Sequence, residues 1–142
     1  LTDLVLDTNI VLDLLVFEDA ATGSLRADLD SGALQWAATP AMREELLRVL
    51  AYPQIVKSLA HHGRTAAAVL AQFDATVRVV EVAPKAPVTC KDPDDQKFID
   101  LAVARRAALL SKDRAVLCMA KRLAALGVSA GANHAILNLR MI

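Results

Sequence analysis

Aromatic residues are scarce: one Trp, one Tyr and three Phe make up 4% of 142 residues. No set of rings is at hand to stack successive bases, so Trp36 and Tyr52 read as packing residues. Cysteine is limited to Cys90 and Cys118, far apart and in no CxxC pattern. That argues against a zinc site or a disulfide framework and for two free thiols in a reducing compartment. No apolar run approaches the roughly 18 residues a membrane span needs. No basic segment leads into an apolar stretch with a cleavage site. The expectation is a cytoplasmic protein without membrane contact. The first residue is Leu1, so the numbering is expected to begin a few residues into the native chain. Net charge is absent as well: 16 Lys and Arg balance 16 Asp and Glu, against a protein that lives on nonspecific attraction to nucleic acid.

What is present is apolar material, 55% of the residues and much of it Ala. That suits Ala-rich amphipathic helices on a Val/Leu sheet, in a single domain over residues 1–142 that buries its core without staples. The charges are unevenly spread. Residues 1–30 hold seven acids against Arg26, and residues 105–142 hold seven bases against Asp113. A solvated helix surface accounts for most of this, and a basic shoulder beside an acidic pocket is also allowed.

Along the chain, Leu4-Val5-Leu6 reads as a buried strand, followed after Asp7-Thr8-Asn9 by a helix over 10–17. A helix over 20–31 and a strand over 34–38 follow. Thr39-Pro40 is a start signal, Thr as N-cap and Pro at the first helical position, for a helix to about Leu50. Further helices are predicted over 54–61 and 64–75, then a strand over 77–82 and a proline-bearing loop over 83–93. A helix from Pro93 to Ala107, a strand over 108–110, a helix over 114–126 and an edge strand over 136–139 complete the order. Strands alternating with helices predict an α/β fold, a three-layer α/β/α sandwich with a mainly parallel central sheet.

Asp7 and Asp113 each follow a short apolar strand and precede a helix. In open parallel sheets the crevice beyond the carboxyl ends of the strands is where ligands bind, so the two acids share it if their strands are neighbours. A lone acid there is ordinarily a helix cap; two at two strand ends favour a site. Asp92, Asp94 and Asp95 gather at a helix start, where acids are stabilised by about 0.3–1 kcal/mol each. Asp92 and Asp95 can share a face, and Asp95 opens a helix whose Phe98, Ile99 and Leu101 must pack inward. Glu44 can be a solvated partner of Arg48, four residues on, while Glu45 lies nearer the apolar seam. Gathering such carboxylates is repulsive unless one protonates or a cation joins them. All-oxygen ligation suits Mg²⁺ or Mn²⁺.

Leu6-Asp7-Thr8-Asn9, Thr39-Pro40 with Glu44-Glu45-Leu46, Asp92-Pro93-Asp94-Asp95-Gln96-Lys97-Phe98 and Ser111-Lys112-Asp113 together resemble the PIN domain family over about residues 3–127. The likeness is to the branch of toxin components of bacterial toxin–antitoxin pairs. It implies an α/β/α nuclease fold, Mg²⁺- or Mn²⁺-dependent cleavage of RNA and inhibition by a cognate antitoxin protein, and it supports the homodimer that the 55% apolar content and Ala-rich helices, those over 54–75 among them, predict. By position it makes Asp7, Glu45, Asp95 and Asp113 the catalytic and metal-binding acids, with Asp92 an extra metal ligand. Thr8, Asn9 and Ser111 then fall where polar groups steady carboxylates or waters. Apart from the resemblance, Lys112, Arg114 and, third, Arg43 are the bases best placed to meet phosphates near the acids, simple solvation being the alternative for each. Lys112 departs from the small residue that often precedes the last acid, and Ser129 to Ile142 does not resemble the usual ending.

Three rivals use the same features. A Mg²⁺-dependent phosphatase wants an acid two residues after the first, where Asn9 stands. A phosphotransfer receiver domain wants an acid pair beside strand 1, and Asp3 lies at the wrong end of it. A nuclease fold that has lost activity and only docks partners would not need the acids. A PIN nuclease of routine RNA processing remains open beside the toxin. His61, His62 and His134 have no evident nucleophile to orient.

Overall fold

A computed structural model describes residues 2–134. Five strands, β1 (Thr2–Leu6), β2 (Leu34–Ala38), β3 (Arg78–Val79), β4 (Ala108–Leu110) and β5 (Ser129–Gly131), form one sheet in the order β3-β2-β1-β4-β5. Every pairing is parallel. Leu4, Val5 and Leu6, and Ala108, Leu109 and Leu110, are all buried. Such continuous apolar runs are what strands covered on both faces require.

The chain moves outward from β1 through β2 to β3, then returns to place β4 on the other flank of β1. The point where strand order reverses therefore lies between β1 and β4, with Leu4 opposite Ala108 and Leu6 opposite Leu110. Asp7 N–H donates to the Leu110 carbonyl at 2.9 Å, which carries the ladder one residue further and fixes Asp7 at the strand end.

Among the described residues, eight α-helices flank the sheet: α1 (Thr8–Leu15), α2 (Gly23–Asp30), α3 (Pro40–Leu50), α4 (Pro53–His61), α5 (Ala66–Thr76), α6 (Gln96–Arg105), α7 (Arg114–Leu117) and α8 (Ala120–Ala125). α6 packs on β1 and β4 through Phe98, Ile99, Leu101 and Ala102, each buried. Trp36 of β2 meets Phe73 of α5 edge-on, ring centroids 5.1 Å apart, an arrangement aromatic pairs favour.

Several boundaries differ from expectation. The helix expected over 114–126 is two helices, broken at Cys118 and Met119. The helix from Pro93 begins as a 3₁₀ turn over Pro93–Asp95, and that over 20–31 as one over Ala20–Thr22. The β-branched run 77–82 pairs only at Arg78–Val79, because it has a neighbour on one side alone and Val79 and Val82 face solvent. Thr39 holds the N-cap position of α3 but makes no side-chain cap bond, so Pro40 at the first turn does the starting. β5, not foreseen, closes the sheet on β4; the strand expected over 136–139 lies outside the described residues.

Candidate active site

Three carboxylates meet at the β1/β4 crevice. Asp7, Asp95 and Asp113 each bring an oxygen into a group whose members lie within 4.8 Å of one another. Asp7 and Asp95 are buried, and Asp113 is half-buried. Asp7 and Asp95 both occupy N-cap positions, of α1 and α6, yet neither side chain makes the regular cap bond; of its own helix Asp7 meets only the adjacent Thr8 N–H. Only Asp113 caps, accepting from Ala115 N–H at 3.0 Å. Asp95 in particular leaves its cap position unused and faces other acids, which helix stability does not explain.

Neighbouring polar groups hold this arrangement. Ser111, fully buried, donates its hydroxyl to Asp7 Oδ2 at 2.6 Å and accepts from Asp113 N–H at 3.0 Å, so one side chain ties two cluster acids. Asn9 Oδ1 accepts from Lys112 N–H at 3.2 Å and pins the loop that carries Asp113. Thr8 donates its hydroxyl to Glu45 Oε2. Asp92 accepts from Asp94 N–H at 3.0 Å and closes the turn that delivers Asp95.

The oxygens of Glu45 and Asp92 fall outside the converging set. Both are close enough to act by charge: Glu45 raises Asp7, and Asp92 raises Asp95. Glu45 Oε1 is held by Lys97 Nζ at 2.6 Å, and the same Nζ donates to the Asp94 carbonyl. Lys97 is the site residue that sequence reasoning missed. Its signal was available: a cation in the first turn of α6 opposes the helix dipole and needs an acid to justify it.

Protonation follows from this crowding. Burial pushes Asp7 above the usual carboxylate range, opposed by the Ser111 bond and the Thr8 N–H and reinforced by Glu45 and Asp113. Asp95 goes furthest, pushed up to about 8 by burial first, then by its contact with Asp113 and the charges of Asp7, Asp113 and Asp92. Asp113 moves down, because Asp95 and then Ala115 N–H stabilise its charged form. One proton therefore sits on Asp95 beside an ionised Asp113. Asp95 Oδ2 is nevertheless buried without a hydrogen-bond partner. Two like charges within 4.8 Å of each other repel by at least about 3 kcal/mol at an effective dielectric of about 20. An orphaned oxygen in a converging all-oxygen set fits a hard divalent cation.

The predicted phosphate-contacting bases are less uniform. Lys112 Nζ is drawn to Asp13 at 2.7 Å. Arg114 is exposed at the start of α7, with exposed Lys121 and Arg122 on α8. Arg43 is engaged by Asp74 through two bonds of 2.7 and 2.9 Å.

Residues 3–115 match the family model described as PIN domain. No curated protein matches the chain.

Proposed function

The chain belongs to the PIN domain family, and from that premise we propose that it is a metal-dependent endoribonuclease, the toxin of a toxin–antitoxin pair. PIN domains are typically metal-dependent nucleases. The observation that carries the reading is the convergence of Asp7, Asp95 and Asp113 at the strand ends, with a buried Asp95 oxygen lacking any partner. Those three would hold Mg²⁺ or Mn²⁺, with Glu45 and Asp92 within electrostatic reach. A cation bound there supplies an acidified water and charge neutralisation at a phosphoryl oxygen.

The chain's own residues supply the rest. Ser111 orients Asp7 and the Asp113 backbone together, so two acids keep one geometry. Thr8 and Lys97 clamp both oxygens of Glu45, which leaves that carboxylate as a fixed negative wall beside Asp7. Asp95, the protonated member, would have to release its proton to solvent to act as a ligand. Arg114, next to Asp113 in sequence, and the exposed Lys121 and Arg122 of the following helix are the cations offered to the polyanion. The rivals fit less well: Asn9 is committed to the Lys112 backbone, and Lys112 Nζ to Asp13. A phosphatase would need an acid at Asn9, and a receiver a lysine pointing to the acids.

Generic single-stranded RNA tests the proposal. Cleavage is expected with Mg²⁺ or Mn²⁺ and none in excess chelator; undiminished cleavage in chelator overturns the metal chemistry. The toxin role adds an expectation that a small protein encoded just upstream suppresses the cleavage on mixing. A homodimer through the 54–75 helices belongs to the same proposal, supported by Tyr52 and Val56, which are 50% and 49% exposed at α4.

A further inference from the structure

Cys90 and Cys118 are separated in sequence but not in space. Cys90 Sγ donates to the Ala115 carbonyl at 3.3 Å, and Cys118 Sγ donates to the same carbonyl at 3.4 Å. Two sulfurs on one oxygen lie no further apart than those two lengths laid end to end. Their settings differ: Cys118 is exposed and Cys90 is buried. Only one thiol meets a dissolved oxidant directly, and the other waits behind it.

The shared acceptor lies next to the carboxylate site. Ala115 N–H is the group that Asp113 Oδ1 caps, so both polar ends of this residue's backbone are engaged, one by a cluster acid and the other by the thiols. Cys90 is anchored on its own side, its N–H donating to Gln96 Oε1 at 2.6 Å, in the stretch that runs into Asp92 and Asp95. α7, between Asp113 and Cys118, is only four residues long.

We infer that Cys90 and Cys118 form a peroxide-responsive dithiol, whose closure to an intramolecular disulfide shifts α7 and disables the carboxylate site. The Cys118 sulfur attacks the peroxide: an S–O bond forms, the O–O bond breaks, and the other oxygen leaves as water or alcohol. The Cys90 sulfur then attacks the sulfenic acid, forming S–S and breaking S–O, and the departing hydroxide takes the Cys90 proton to leave as water. A small dithiol reverses the change by thiol–disulfide exchange. The sulfurs must close from hydrogen-bonding neighbours to bonded atoms, and the short α7 that carries the Asp113 cap is the segment free to yield.

The link itself stands on the thiol geometry; its effect on metal rests on the proposed function. The test treats the reduced full-length protein with hydrogen peroxide, blocks remaining thiols, and digests with trypsin. The expected product is residues 86–91 joined to 115–121 within one chain. The Mg²⁺ concentration that half-saturates the rise in melting temperature should increase about tenfold or more, as when groups supporting metal ligands are disturbed, and return with dithiothreitol. Cys90→Ser and Cys118→Ser should each abolish the peroxide effect and keep the reduced protein's metal response. Full alkylation of both thiols after peroxide, or only Cys118–Cys118 links between chains, overturns the dithiol. A correct link with unchanged metal response overturns its control of the site. Absence of any Mg²⁺ response in the reduced protein overturns the proposed function and with it the control, while the peptide link still reports on the thiols.

Discussion

Asp7, Asp95 and Asp113 are one residue type with three behaviours, set by surroundings alone. Asp113, half-exposed with a backbone donor, is the easily ionised member; Asp95, buried and facing it, keeps the proton. The consequence for stability has a definite sign. Asp95 is raised from 3.8 to about 8, so between those values the folded state holds a proton that the unfolded chain has lost. Its contribution is full below the unfolded value and drains away as pH rises toward 8. Asp113, shifted down, contributes in the opposite sense, and its share is lost only as pH falls through its lowered value. In chelator, melting temperature should therefore fall from about pH 4 to about pH 8, and Asp95→Asn should flatten that slope. Saturating Mg²⁺ should flatten it too. A parent slope unchanged in Asp95→Asn would place the titration elsewhere. These acids were legible because each sits at a strand end or a helix start. The split between the three that converge and the flanking Glu45 and Asp92 was not, since Glu45 is held by Thr8 and Lys97 across 37 and 52 residues and Asp92 accepts from Asp94 N–H instead.

Elements were read best where periodicity and punctuation agreed. β2 and α3 matched closely, since an apolar run led into Thr39-Pro40. Pairing decided the rest. β5 is three residues of small side chains, invisible to an apolar pattern and made a strand by the exposed edge of β4. β3 shrank for the converse reason, with no strand beyond it among the described residues. The break between α7 and α8 shows no Gly or Pro, and helix propensity alone would have carried through it. After α8, Gly127 turns the chain at φ +84° into Val128 and β5, a conformation that costs an L-residue about 1–2 kcal/mol. Gly127→Ala should destabilise by roughly that amount in denaturant melts. Its Mg²⁺-induced stabilisation should stay as in the parent, because a Cβ there meets only the Arg106 side chain, at 3.5 Å. A lost metal response would mean that the β4–β5 edge supports the site more directly than the contacts indicate.

At the scale of the molecule, a neutral chain concentrates acids at the β1/β4 ends, while Arg114, Lys121 and Arg122 are exposed on the two helices that follow. No described helix is long and apolar enough to cross a membrane. The apolar excess has another outlet at α4, where Val56 is 49% exposed. Sedimentation should show a concentration-dependent dimer that Val56→Lys weakens; a monomer at every concentration would contradict that part of the proposal. The central claim, that three aspartates from distant parts of the chain make one cation site for cleaving RNA, is tested most directly by Asp7→Asn. The amide keeps the shape, can still accept from Ser111, and removes one charge and one ligand. Measured together, RNA cleavage and thermal melts in chelator and in Mg²⁺ should move in opposite directions. Cleavage should be lost while the metal-free protein gains about 1–2 kcal/mol from relieved repulsion. Mg²⁺ at roughly 100 times its dissociation constant should stabilise the parent by about 2.7 kcal/mol and the variant by less. An active Asp7→Asn protein with the parent's full Mg²⁺ shift would contradict the account, because Asp7 would then lie outside the site.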